Sequence, residues 1–121
     1  MDELIKTIFS LSEDIRYVAI YQQKELTQSS RPGTAGASSS ESDKYEELIV
    51  NPTILTLVNQ RGDIDCGGLR YVLIRYGNFF QFVSPIRDGH ISICMEPYAD
   101  PLKHIESIRD ALMQSGLSGK D

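Results

Sequence analysis

Hydrophobic and polar positions recur along this chain with two periods, and the switches between them divide it into elements. Over residues 2 to 15, Leu4, Ile5, Ile8, Phe9, Leu11 and Ile15 mostly return to one side of a 3.6-residue helix, while Lys6, Ser10 and Glu13 fall elsewhere. A first amphipathic helix is expected there. Residues 16 to 22, rich in β-branched and aromatic side chains, read as a strand; residues 25 to 29 read as a weaker one, joined by a hairpin at Gln23-Lys24. Residues 44 to 61 carry Tyr45, Leu48, Ile49, Ile54, Leu55, Leu57 and Val58, which suits a helix facing an apolar surface. Asn51-Pro52 interrupts it. Asparagine caps helices and proline fits their first position, so a fresh start at Pro52 is expected, with Gly62 as the stop.

Three strands should follow, over residues 69 to 76, 79 to 84 and 90 to 96. Gly77-Asn78 and a turn over residues 85 to 89 containing Asp88-Gly89 separate them. In the first, Leu69, Tyr71 and Leu73 share one face, and Val72, Ile74 and Tyr76 the other. In the second, Phe79 and Val83 oppose Phe80 and Phe82. Apolar residues on both faces mean that both are covered. Asp100-Pro101 opens a last helix, with Leu102, Ile105, Ile108 and Leu112 down one face before Gly116. The order is α-β-β-α-β-β-β-α without internal repeat. The simplest fold class is α+β, a five-stranded antiparallel sheet between helices. Residues 29 to 43 contain no large apolar side chain and read as a flexible internal loop within a single domain spanning residues 1 to 121.

Composition narrows the function classes. The 121 residues carry 12 Lys plus Arg against 17 Asp plus Glu, a net charge of −5, and no basic cluster dense enough to neutralise a phosphate backbone. Nucleic acid is therefore not an expected partner. Two cysteines, Cys66 and Cys94, make no disulfide framework and favour buried thiols in a reducing compartment. The opening Met1-Asp2-Glu3 and its interrupted apolar residues resemble neither signal peptide nor membrane span, so a cytoplasmic protein is expected.

Candidate chemistry is sparse. A nucleophile pair of Cys66 or Cys94 with His90 can be written, but nothing in the sequence activates the thiolate, and Cys94 and His90 fit better as a core residue and a strand-edge residue. His104 lies in the polar part of the last helix. Asp63 and Asp65 before Cys66-Gly67-Gly68 lack the further carboxylates of a calcium loop, and no Cys/His spacing suits zinc. Arg61-Gly62-Asp63 is a chance tripeptide. No phosphate-binding glycine loop occurs, so no cofactor, metal or catalytic residue is expected. The aromatic group Tyr71, Tyr76, Phe79, Phe80 and Phe82 lacks the cations of an RNA-binding sheet and reads as packing.

The stretch Leu-Arg-Tyr-Val-Leu-Ile-Arg-Tyr-Gly-Asn-Phe-Phe-Gln-Phe-Val, followed by Asp-Gly-His-Ile-Ser-Ile and Asp-Pro-Leu, resembles the Roadblock/dynein light-chain family: its central hairpin, next strand and entry to the last helix. The resemblance covers most of the chain outside residues 29 to 43. It implies a homodimer or heterodimer in which sheets join edge to edge and middle helices pair, acting as an adaptor or as a regulator of a small Ras-like GTPase without supplying an arginine finger. The first hairpin, Gln-Gln-Lys-Glu followed by the long Ser/Gly stretch, and the Asn51-Pro52 interruption both depart from the family pattern. On this reading Tyr45, Leu48, Ile49, Ile54, Leu55 and Val58 on the helix, with Arg70, Val72 and Ile74 on an edge strand, form the interface. An exposed strand edge gains by pairing with a second copy. The alternative is a small-ligand sensor with a pocket between sheet and helices lined by Tyr71, Phe80 and Phe82.

Overall fold

A computed structural model describes residues 2–32 and 40–118. The fold is α+β, with five antiparallel strands in the order β2-β1-β5-β4-β3. Helix α1 (Asp2–Ser10) leads into β1 (Ile15–Gln22) and β2 (Glu25–Ser30). The middle helix is α2 (Ser40–Tyr45), a π-helical turn (Glu46–Val50) and α3 (Asn51–Asp65). β3 (Val72–Arg75), β4 (Phe80–Ile86) and β5 (Gly89–Met95) follow, then a 3₁₀ turn (Pro101–His104) and α4 (Ile105–Gln114). No helix among the described residues is long and apolar enough to cross a membrane.

The two faces of the sheet differ in chemistry. Val18, Ile20, Phe82, Ile86, Ile91, Ile93 and Met95 meet Leu4, Ile5 and Ile8 of α1 and Ile108 and Leu112 of α4 in one apolar core. The opposite face carries Tyr17, Ala19, Gln81, His90, Ser92 and Cys94, paired across strands as Tyr17↔Cys94, Ala19↔Ser92 and Gln81↔Cys94. A bulge between Ile15 and Tyr17 makes this division sharp. Arg16 is the extra residue, so Ile15 points into the apolar core and Tyr17 to the other side. Arg16 itself pairs with Glu96 at 2.7 Å.

Several expectations are corrected at element boundaries. The first helix stops at Ser10, and Ile15 belongs to β1, because the apolar spacing continues across a turn that cannot be distinguished by period alone. Of residues 29 to 43, Ser29 and Ser30 finish β2 and Ser40–Asp43 are already helical; residues 33–39 lie outside the described residues. The middle helix does not restart at Pro52. Tyr45, Val50 and Asn51 all keep helical φ and ψ, and the Asn51 N–H donates to the Glu46 carbonyl five residues back. Proline lacks an N–H and crowds the preceding turn; one widened turn lets its ring fit without ending the helix. Gly62 does not stop α3 either. A side-chain carbon there would lie 3.2 Å from the Leu69 backbone nitrogen, so glycine serves the close passage of residues 68 and 69.

In the last segment Leu102 is exposed, because the first turn is 3₁₀ and rotates it off the Ile105, Ile108 and Leu112 face. β3 is shorter than expected. β4 instead extends through Pro85, and the turn is the two-residue Arg87-Asp88. That turn closes on Ile86↔Gly89, so the Pro85 ring nitrogen faces away from β5, beyond the last β3 partner at Val83, where no ladder bond is lost. Gly89 is required by proximity: a Cβ would come within 1.8 Å of the Tyr21 carbonyl oxygen.

Candidate functional site

The middle helix is turned inside out relative to the usual amphipathic pattern. Its buried positions are Glu47, Asn51, Leu55 and Gly62, while Tyr45, Leu48, Ile49, Leu57 and Ile64 face solvent. A water-soluble helix normally buries its apolar stripe. Here the sheet face beneath is polar, so the helix presents a carboxylate and an amide to it beside Leu55 and leaves Tyr45, Leu48, Ile49, Leu57 and Ile64 outside.

Glu47, 1% exposed, is the centre of that polar layer. Its Oε1 lies 2.8 Å from His90 Nε2 and accepts from Asn51 Nδ2 at 3.0 Å; its Oε2 accepts from the Tyr17 hydroxyl at 3.1 Å. Three partners on three elements compensate the desolvation of the carboxylate. Gln81 Nε2 donates to Ser92 Oγ at 2.8 Å, whereas Gln81 Oε1 and Asn51 Oδ1 are buried without a hydrogen-bond partner among the described residues. Burial first, then the Glu47 charge, pushes the Tyr17 phenol far up. The Cys94 thiol also rises well above its ordinary value, by burial and then by the charges of Glu47, Asp43 and Glu46. It therefore remains a neutral thiol. A thiolate nucleophile at Cys94 has no support in this environment.

Beside this layer lies a cavity of about 310 Å³ between the start of the middle helix and the β3–β4 hairpin, bounded by Tyr17, Glu46, Glu47, Tyr76, Phe79 and Gln81 among others. Glu46 Oε2 accepts from the Tyr76 hydroxyl at 2.8 Å. Burial raises the Glu46 carboxyl, opposed by the Tyr76 bond and helped by Glu47 and Asp43; the Tyr76 phenol is pushed up to about 12 by burial and by Glu46. A second, larger cavity of about 780 Å³ opens on the apolar side between α4, the sheet and the chain leading to β3. Tyr71 and Phe82, stacked with ring centroids 5.3 Å apart, line it; Phe80 does not.

The expected interface residues separate into three groups. Tyr45, Leu48 and Ile49 are exposed on the outer face of the helix, Tyr45 at 62%, and Leu48, Ile49 and Leu57 with Pro52, Thr53 and Thr56 form a shallow groove along it. Ile54 and Val58 are half-buried at its flanks, and Leu55 is buried on the inner side. Val72 and Ile74 are half-buried on β3, the outermost strand of the sheet on that side, with Arg70 exposed just before it.

His90, expected as a strand-edge residue beside the Asp88-Gly89 turn, lies near the start of β5 and is 2% exposed against Glu47. Cys66 is exposed rather than buried, and donates to Asp65 Oδ1 at 3.3 Å. Cys66 and Cys94 are both free, and the described residues contain no group of three or more His, Cys, Asp or Glu side chains that could hold a metal ion. Glu47, Asn51, Tyr17 and Gln81 were invisible as a cluster because it joins positions 17 to 90. The one local signal was the polar alternation His90, Ser92, Cys94 in β5, set against Ile91, Ile93 and Met95. Comparison with protein-family models and with curated proteins finds no match for this chain.

Proposed function

We propose that this chain is a dimeric protein-interaction module of roadblock type that works in the cytoplasm as an adaptor or regulator of a small Ras-like GTPase or other signalling protein, and is not itself an enzyme. The observation that carries the reading is the outward-facing row Tyr45, Leu48, Ile49 and Leu57. Apolar side chains grouped on one solvent face gain about 25 cal/mol per Å² when another surface covers them. A second copy of the same helix supplies a self-complementary cover about a two-fold axis, and the outer edge of β3 offers main-chain groups for sheet-to-sheet pairing. The element order also agrees with the resemblance drawn from residues 69 to 83.

Light scattering tests the dimer: a mass of twice 13.6 kDa is expected, and a single-chain mass across the accessible concentration range rejects it. Capture of partners from a source extract in GDP or in a non-hydrolysable GTP analogue tests the rest. A Ras-like GTPase retained in one nucleotide state is expected. Recovery of the chain alone rejects the GTPase reading.

The 780 Å³ cavity with Tyr71 and Phe82 on its wall favours a second reading, a small-ligand sensor. A metabolite that raises the melting temperature, with the effect abolished by filling the cavity through Ser84→Phe, would favour the sensor over the adaptor.

A further inference from the structure

We propose that the middle helix is a lid that opens as one unit: residues 46 to 65 lift off the sheet about a hinge at Gly67-Gly68 while α1, α4 and the five strands stay folded. The helices are attached to the sheet by different means. Leu4, Ile5 and Ile8 of α1 and Ile108, Ala111 and Leu112 of α4 are buried in the apolar core, whereas no described residue of the middle helix belongs to that core or to the small cluster of Tyr17, Ala19 and Cys94 on the face beneath it. Among the described residues, Leu55 is its one buried large apolar side chain. What holds it is polar: Glu47 bonds to His90 of β5 and to Tyr17 of β1, and Glu46 to Tyr76 just after β3.

A closure of this kind opens readily. Apolar contacts have no substitute in water, but hydrogen bonds do, so a helix held by them loses little when water takes their place. The Glu47 carboxylate, 1% exposed, regains hydration as the helix lifts. Asn51 Oδ1 and Gln81 Oε1, buried without a partner among the described residues, gain it as well. The face left behind carries Tyr17, Gln81, His90 and Ser92, which water can solvate, while the apolar core on the far side stays covered by α1 and α4. The chain after Asp65 suits a hinge: Gly67 and Gly68 belong to no helix or strand, have φ of 80° and 86°, and Gly67 has open space around it. A lone 15-residue helix is marginal in water, so α3 unravels once lifted and its amides meet solvent.

Hydrogen exchange of the full ¹⁵N-labelled chain, followed by NMR in rising urea below the unfolding transition, reads the opening. The amides of Ile54 to Arg61 should converge on one shared isotherm, with a urea slope about half or less of that for the Ile20, Ile91 and Ile93 amides, which exchange by global unfolding. Ile8→Val trims the apolar core, which the open form keeps, and should lower the protection of the strand amides about fivefold while leaving the helix amides unchanged. Glu47→Gln weakens the closed form against both openings and should lower both sets by the same factor of about ten. Pairing of two chains through the outer helix face would add to the closed form, so the Ile49→Asp chain is measured beside the unaltered one and isolates the lid. A helix isotherm that coincides with the strand isotherm in Ile49→Asp, helix amides that exchange one by one with no shared slope, or an Ile8→Val loss felt equally by helix and strands would each overturn the proposal. These readings decide the question even where Glu47→Gln disturbs the fold.

Discussion

Glu47 is the side chain whose surroundings explain most of the polar layer. Removing it by Glu47→Ala strands His90 Nε2, Asn51 Nδ2 and the Tyr17 hydroxyl at buried positions. A loss of about 3 to 5 kcal/mol is expected in urea unfolding, and a smaller one for Glu47→Gln, which still accepts at one oxygen. The phenols predict an alkaline weakness. Tyr76 ionises at about 12 in the folded chain against an ordinary 10.0, and Tyr17 is raised further still. Between those values the unfolded chain binds fewer protons than the folded one, so stability is intact below pH 10.0 and falls as pH rises towards 12. Tyr17→Phe should flatten that fall when unfolding midpoints are compared across the window; an unchanged slope would assign the loss to other groups.

At the scale of elements, the β1–β2 turn carries a local conflict. Gln23 and Lys24 both adopt left-handed φ, 52° and 69°, to make the tight two-residue turn that matches strand twist. Neither residue is suited to that region, where a side chain with Cβ costs about 1 kcal/mol or more. Lys24→Gly should therefore raise stability by about 1 kcal/mol, read as a higher denaturation midpoint at unchanged slope. The middle helix shows the opposite case. Pro52 looks like a breaker, yet the π-helical turn absorbs it and carries Glu47 and Asn51 onto the same buried side. The hairpins at Gln23-Lys24 and around Asp88-Gly89 were legible because turn chemistry is local; the continuity of the helix was not, since widening a turn depends on what packs beneath it.

For the whole molecule, the inverted helix gives a test that separates fold from assembly. Ile49→Asp places a charge on the outer face, where the single chain has room for it, and should leave the melting transition in place while reducing the scattering mass to one chain. Leu55→Asp buries an unpaired charge on the inner face and should abolish folding. If Ile49→Asp leaves a dimer intact, the helix face is not the interface.

Most of the architecture was determined by the sequence alone. Period-two runs, two-residue turn signals and cap-then-proline pairs specify three helical segments and five strands in the right order, because each depends on neighbours within a few residues. Which side of each element faces inward was decided only in three dimensions. The apolar stripe from Tyr45 to Val58 suggested a helix pressed against a greasy sheet, but α1 and α4 already occupy the greasy face. The middle helix meets the remaining face, whose Tyr17 and His90 demand a polar partner, and Glu47, held by Asn51, answers that demand. A buried polar group must be matched by whatever lies opposite it, and the residue opposite is set by strand order and register rather than by proximity along the chain.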